Sequence, residues 1–230
     1  MTLIRFACVL LFKCSKIVLQ FSCPVKIRLE SGDNYIMDNA TKVFRELIEK
    51  IEENPVIAAV RKEEDIEYAV NTPVTTIFLL KSDIFSIERD VQRIRQNNKN
   101  VFIHMELLEG IGKDNKAMDY IAEVVNPSGI ITTRISQVKY AKEKGICAIQ
   151  RFFLVDSQSY ETAIKSVHVV KPDMVEIMPA VMPGIISRFC KDVYLPVIAG
   201  GLIDNKEDML EALKAGALGI STGKRELWEL

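Results

Sequence analysis

At 230 residues, 48% hydrophobic and 27% charged, the chain carries enough apolar material for one large globular domain or two small ones, which excludes overall disorder. Thirty basic residues against thirty-one acidic ones give a formal charge of −1, so a globally basic nucleic-acid face is excluded and any RNA contact must be a local patch. Five cysteines at 8, 14, 23, 147 and 190 show no CxxC spacing, a pattern of a reducing, cytoplasmic compartment rather than of a disulfide framework.

The first 36 residues read differently from the rest. Lys13 and Lys16 cut their apolar runs well short of the roughly 20 residues a membrane span requires. A signal peptide is the alternative, but the run from Phe6 to Phe12 is short and lacks small-residue cleavage chemistry after it. The segment 1–36 therefore reads as an appendage outside the fold, in keeping with a start at Met37. From there, residues 37–230 read as a single domain. It opens on a helix over Asn39 to Glu53, capped by Asp38 or Asn39, that closes the bottom of a barrel.

Beyond that helix the chain alternates short apolar runs with amphipathic stretches at a period near 25 residues. Strands are expected over Val56 to Val60, Val74 to Leu80, Val101 to Leu107, Gly129 to Thr132, Ile146 to Val155, Met174 to Met178, Pro196 to Ala199 and Leu218 to Ser221. Helices are expected around Glu63 to Val70, Ile87 to Gln96, Lys116 to Val124, Ile135 to Lys144, Ser157 to Val169, Gly184 to Lys191 and Lys206 to Lys214, with only a stub after the last strand. Eight such strands with crossover helices predict an α/β fold, a parallel (β/α)8 TIM-barrel-like barrel with an N-terminal capping helix.

Ligands in such barrels sit at the C-terminal strand ends, so the polar residues there define the candidate site. These are Arg61, His104, Glu106, Arg134, Arg151 and Glu176, with Gly200, Gly201, Ser221 and Thr222 at the last two strands. Strand alternation places His104 and Glu106 on one face, either as a ligand-reading pair or as a polar rivet between strands. Arg134 and Arg151 offer planar forks for phosphate or carboxylate, unless they form surface ion pairs. If a helix starts near Lys224, the amides of Gly200, Gly201, Thr222, Gly223 and Lys224 could converge on one anion; the alternative is ordinary turn glycines. Lys81, Ser82 and Asp83 either join the site or form a turn. General acid and base work by His104 with Glu106 or Glu176 stays open, while no catalytic residue and no metal site is assigned.

Six segments then stand together in order: "VFIHMELLEGI", "PSGIITTR", "AIQRFFLVDS", "PDMVEIMPAVMP", "VIAGGLI" and "STGKRELW". With them the chain resembles the glycerol uptake operon antiterminator family over about residues 55 to 230. The resemblance implies a barrel that binds glycerol 3-phosphate as effector, needs no cofactor, and acts on the leader mRNA of glycerol-utilisation operons. By position it implies that Gly200, Gly201, Ser221 and Thr222 hold the phosphate end while His104, Glu106, Arg134, Arg151 and Glu176 form the polar wall. Glu106 departs from the aspartate of the family's third-strand motif, and residues 1–36 lie outside the pattern. The competing reading is a barrel enzyme acting on a small phosphorylated metabolite, of phosphodiesterase, isomerase or lyase type. Partners expected are the leader mRNA and the phosphorylated effector, with no membrane and with a homo-oligomer open. For RNA the basic residues are Lys139, Lys142 and Lys144 with Arg134, and Arg188 with Lys191; Trp228 reads as a packing residue behind the last strand.

Overall fold

A computed structural model describes residues 39–230, so the expectations for the 1–36 segment and for an Asp38 cap lie outside the described residues, while Asn39 is the first residue of the opening helix. The described chain folds as a closed barrel of eight parallel strands, β1 (Val56–Val60), β2 (Thr76–Leu79), β4 (Asn100–His104), β6 (Gly129–Thr132), β7 (Cys147–Phe153), β8 (Met174–Met178), β9 (Val197–Gly200) and β10 (Gly219–Thr222). Closure comes from β1, which pairs with β2 on one side and with β10 on the other. The expected (β/α)8 architecture is therefore the observed one.

Strand alternation builds two cores. Ile57, Phe78, Phe102, Ile131, Ile149, Met174 and Ile198 point into the barrel, where Phe78 and Phe102 meet edge to face at 5.6 Å. From below, α1 (Asn39–Glu53) presses Leu47, Ile48 and Ile51 onto that inner core, so the helix plugs the barrel floor as expected. The alternate strand residues face outward, where Ala58, Val60, Ile77, Ile103, Ile130 and Val175 pack under the surrounding helices.

Those helices are α2 (Glu63–Val70), α3 (Ile87–Gln96), α4 (Asn115–Tyr120), α5 (Ile135–Glu143), α6 (Ser157–Val170), α7 (Pro183–Val193) and α8 (Lys206–Lys214). Their starts are written in the sequence: Asp114, Asp156 and Asn205 each accept a backbone amide of the first turn, and Ser159 completes a capping box with Asp156. After α4 the chain widens into a π turn over Ile121–Val125, closed by the left-handed Asn126 whose amide donates to Ile121.

Two departures from the sequence reading matter for the site. The third barrel strand does not run to Leu107 but stops at His104, and Met105–Leu107 forms a 3₁₀ turn. The reason is Lys113, whose ammonium donates to the carbonyls of Met105 and Leu108 and draws the turn tight. A small second sheet was also not anticipated: β3 (Ser82–Asp83) pairs parallel with β5 (Leu108–Glu109), tying together the connections that follow β2 and β4. The stub after β10 is a 3₁₀ segment, Arg225–Glu229, and Trp228 in it is fully buried with its indole N–H donated to the Thr222 carbonyl.

Candidate functional site

At the C-terminal mouth the inner faces of neighbouring strands bring His104, Arg151, Glu176, Gly200 and Ser221 into one polar layer above the apolar inner core. Register explains the central contact, because Arg151 on β7 lies directly beside Glu176 on β8. Arg151 donates its Nε to Glu176 Oε2 at 2.6 Å, and Ser221 donates its hydroxyl to Glu176 Oε1, also at 2.6 Å. Glu176 is wholly buried and Arg151 nearly so. Paired in this way, the two charges survive burial. The Arg151 Nη2, however, is buried without a hydrogen-bond partner.

His104 stands on the same side of the barrel. Burial first, and the nearby Arg151 cation second, push its imidazole down to about 3, so it is neutral near pH 7. Its Nδ1 lies 3.5 Å from Glu106 Oε2, and neither atom has a hydrogen-bond partner. A neutral ring makes no ion pair there.

A consequence for acid stability follows. The unfolded chain protonates this histidine near its ordinary value of 6.5, whereas the folded chain refuses the proton down to about 3. Since the unfolded state then binds more protons, stability is greatest above the upper value and falls as pH drops through that window. A His104→Asn variant is expected to lose less stability than the parent between pH values near 6.5 and 4.5, measured by urea unfolding across that range. Parallel profiles for the two proteins would refute the assignment.

Three readings from the sequence need correction. His104 and Glu106 do not share a strand face, since the strand ends between them; Glu106 reaches the histidine from the 3₁₀ turn. There, Thr132 donates its hydroxyl to Glu106 Oε1 at 2.5 Å, and the Gln137 side chain lies 2.6 Å from that hydroxyl. Arg134 is not a wall of the interior layer: its side chain is half exposed on the rim, with Nε 4.0 Å from Glu106.

The glycine cup is the third. Lys224 precedes only a short 3₁₀ segment, and its amide already donates to Thr222 Oγ1 at 3.1 Å, while the Thr222 hydroxyl faces the Ile203 carbonyl at 3.3 Å. Thr222 and Lys224 thus serve the local turn. Gly200 is small for a different reason, as a Cβ there would stand 2.3 Å from Ser221 Oγ and 2.8 Å from Glu176 Oε1. Gly201 is needed for its backbone, which sits at φ +80°, in the left-handed region.

Lys113 is the functional residue that sequence reasoning missed. It lies in a connection without periodicity, yet it shapes the turn that carries Glu106 and adds positive potential at His104. Ser82 and Asp83 form the β3 strand rather than a simple turn, Lys81 pairs with Glu109 at 3.4 Å, and all three line a polar cleft. The basic side chains expected around the helices are largely committed: Lys144 pairs with Asp119 at 2.7 Å, Lys142 donates to the Lys171 carbonyl, and Arg188 lies over the Tyr160 ring at 4.5 Å. Among the described residues, no helix is long and apolar enough to cross a membrane, and no three His, Cys, Asp or Glu side chains are grouped to hold a metal ion.

Comparison with known proteins matches residues 56–228 to a family described as glycerol-3-phosphate responsive antiterminator. The chain is similar to the Escherichia coli (strain K12) protein YgcP, with 34% identity over 184 residues, which is 80% of this chain and 96% of that protein. Among solved structures it is similar to the glycerol uptake operon antiterminator regulatory protein of Listeria monocytogenes, with 30% identity and a TM-score of 0.74 over 76% of this chain and 95% of the other. A glycerol uptake operon antiterminator-related protein of Thermotoga maritima is similar at 33% identity and a TM-score of 0.68, over 76% of this chain and 98% of the other.

Proposed function

Because the chain belongs to the glycerol-3-phosphate-responsive antiterminator family, a regulatory family rather than an enzymatic one, we propose that its mouth binds glycerol 3-phosphate and that the bound form acts on the leader mRNA of glycerol-utilisation operons. The observation that carries the effector half is the Arg151 guanidinium, held by Glu176 through Nε while a buried Nη2 has no protein acceptor. Leaving a buried donor unpaired is costly, and an anionic ligand oxygen would relieve it with a charge-assisted bond. The phosphate belongs beside that nitrogen rather than against the Glu176 carboxylate. The glycerol hydroxyls then fall to His104 and Glu106, whose free atoms suit a group that both donates and accepts.

A Schiff-base enzyme needs an interior lysine at a strand end, and the described inner positions there carry His104, Arg151, Glu176 and Ser221 instead. The Schiff-base form of the barrel-enzyme reading therefore lacks its nucleophile, and the family favours the regulator over the other forms.

A ligand that binds only the folded state raises the unfolding midpoint by mass action. Glycerol 3-phosphate is expected to raise it in a thermal-shift titration while glycerol at equal concentration does not, because the orphaned Arg151 nitrogen demands the charged group. Equal shifts from both compounds would remove the phosphate assignment.

A further inference from the structure

Met178 occupies ground that the small residues of β9 would otherwise leave open. Glu176 and Met178 alternate onto one face of β8, so the methionine stands one step nearer the mouth than the buried carboxylate. From there its side chain leans across β9. A Cβ added at Gly200 would lie 3.1 Å from Met178 Cε and 2.8 Å from Glu176 Oε1, so the thioether tip and the carboxylate converge on that glycine. A Cβ added at Gly201 would find Met178 Cβ, Cγ and Sδ at 3.7 to 3.8 Å. The backbone beneath is held on both sides: the Met178 carbonyl accepts the Leu154 amide at 2.7 Å, and Ala180 donates its amide to the Gly201 carbonyl at 3.1 Å. Met178 is half-buried, so part of it faces the opening.

The buried atoms that lack a partner lie on the other side of the mouth. Arg151 Nη2 belongs to β7, His104 Nδ1 to the end of β4 and Glu106 Oε2 to the turn after it, so all three stand in the arc of β4, β6 and β7. In the facing arc, Glu176 has already divided its oxygens between Arg151 and Ser221, and the two glycines carry no side chain. Met178 fills the space above them. Its thioether gives a polar ligand little to bind, so its effect is on width. An ester whose phosphate meets Arg151 and whose hydroxyls meet His104 and Glu106 has its remaining face toward this side chain. An open three-carbon chain turns only C–H groups to it. A six-membered ring of hydroxyls would press into it and bury hydroxyls without good partners.

We propose that Met178 is the specificity-determining residue of the mouth, admitting open-chain phosphate esters and refusing ring-shaped polyol phosphates. The inference rests on the effector half of the proposed function and is independent of the RNA half.

The test compares glycerol 3-phosphate with myo-inositol 1-phosphate by calorimetric titration of the full chain. The parent is expected to bind the open-chain ester at least about tenfold more tightly, the scale on which an apolar wall discriminates by size. Met178→Ala removes the thioether arm and should narrow that ratio at least about fivefold, chiefly by gaining affinity for the ring compound. Met178→Leu, close in volume, should keep the parental ratio within about twofold. A merely structural role would weaken both ligands together and leave the ratio unmoved in Met178→Ala, and that result overturns the proposal. Should Met178→Ala fail to fold, Met178→Val shortens the same arm with a residue that strands favour and is held to the same narrowing. If the parent binds both compounds equally, the mouth sets no width and the proposal fails while the effector reading stands. If the parent binds no glycerol 3-phosphate, the effector reading itself fails and takes this inference with it.

Discussion

Arg151→Met is expected to weaken glycerol 3-phosphate binding at least about tenfold, the scale of one lost charge-assisted hydrogen bond. It should also destabilise the fold by about 3 to 5 kcal/mol, because Glu176 is wholly buried and would be left without its cation. The two effects separate in the double variant Arg151→Met with Glu176→Gln. A neutral amide no longer needs the guanidinium, so the unfolding midpoint should recover in part while effector affinity stays low. Arg134→Met is the comparison: its side chain is half exposed and 4.0 Å from Glu106, so stability should change by less than about 1 kcal/mol. Calorimetric titration of the folded variants decides the matter. Unaltered affinity in Arg151→Met would place the effector elsewhere.

The second large effect belongs to Gly200→Val. Even the first carbon of a side chain would meet Ser221 Oγ at 2.3 Å and Glu176 Oε1 at 2.8 Å. The serine hydroxyl could rotate aside only by giving up its bond to the carboxylate, and the carboxylate could move only by pulling on Arg151. Overpacking of this kind costs about 1 to 3 kcal/mol, and the broken network adds to it. Gly201→Val next door should behave differently. The atoms nearest its Cβ would be those of Met178, from 3.7 Å, an ordinary contact, so its cost is backbone strain at φ +80° with the polar layer intact. Chemical unfolding of both variants, with and without effector, tells them apart; a Gly200→Val protein as stable as its parent would refute the crowded layer.

The barrel was legible in the sequence because its strands are apolar on both faces and its helices on one. Gly129–Thr132 and Met174–Met178 stand where the apolar runs placed them, as do α2, α3 and α8. Where reading failed, a long-range contact had overridden local pattern. The run from Val101 to Leu107 looks like one strand, but Lys113 captures the carbonyls of Met105 within it and of Leu108 just beyond it. Strands β3 and β5 are two residues each and have no period to detect.

The site was legible as a list rather than as an arrangement. His104, Arg151, Glu176 and Ser221 do share a layer, yet nothing local in the chain says that Glu176 divides its oxygens between an arginine and a serine 45 positions apart from it in one direction. The small size of Gly200 invited a ligand to its backbone, whereas side chains from β8 and β10 fill that space.

Ring closure by β1 and β10 bears on how the protein is made. Val56 lies beside Ile220, so the first and last strands of the barrel come from opposite ends of the described chain. During synthesis β1 and its successors emerge with one edge unpaired, and the ring cannot shut until β10 has left the ribosome. Joining such distant segments carries the largest loop-closure entropy in the molecule and delays native pairing. Until then β1 and β9 each present open hydrogen-bonding groups, a template for pairing with other chains. A nascent chain stalled before Gly219 is thus an open seven-stranded sheet with two sticky edges, and release of β10 is the event that seals it.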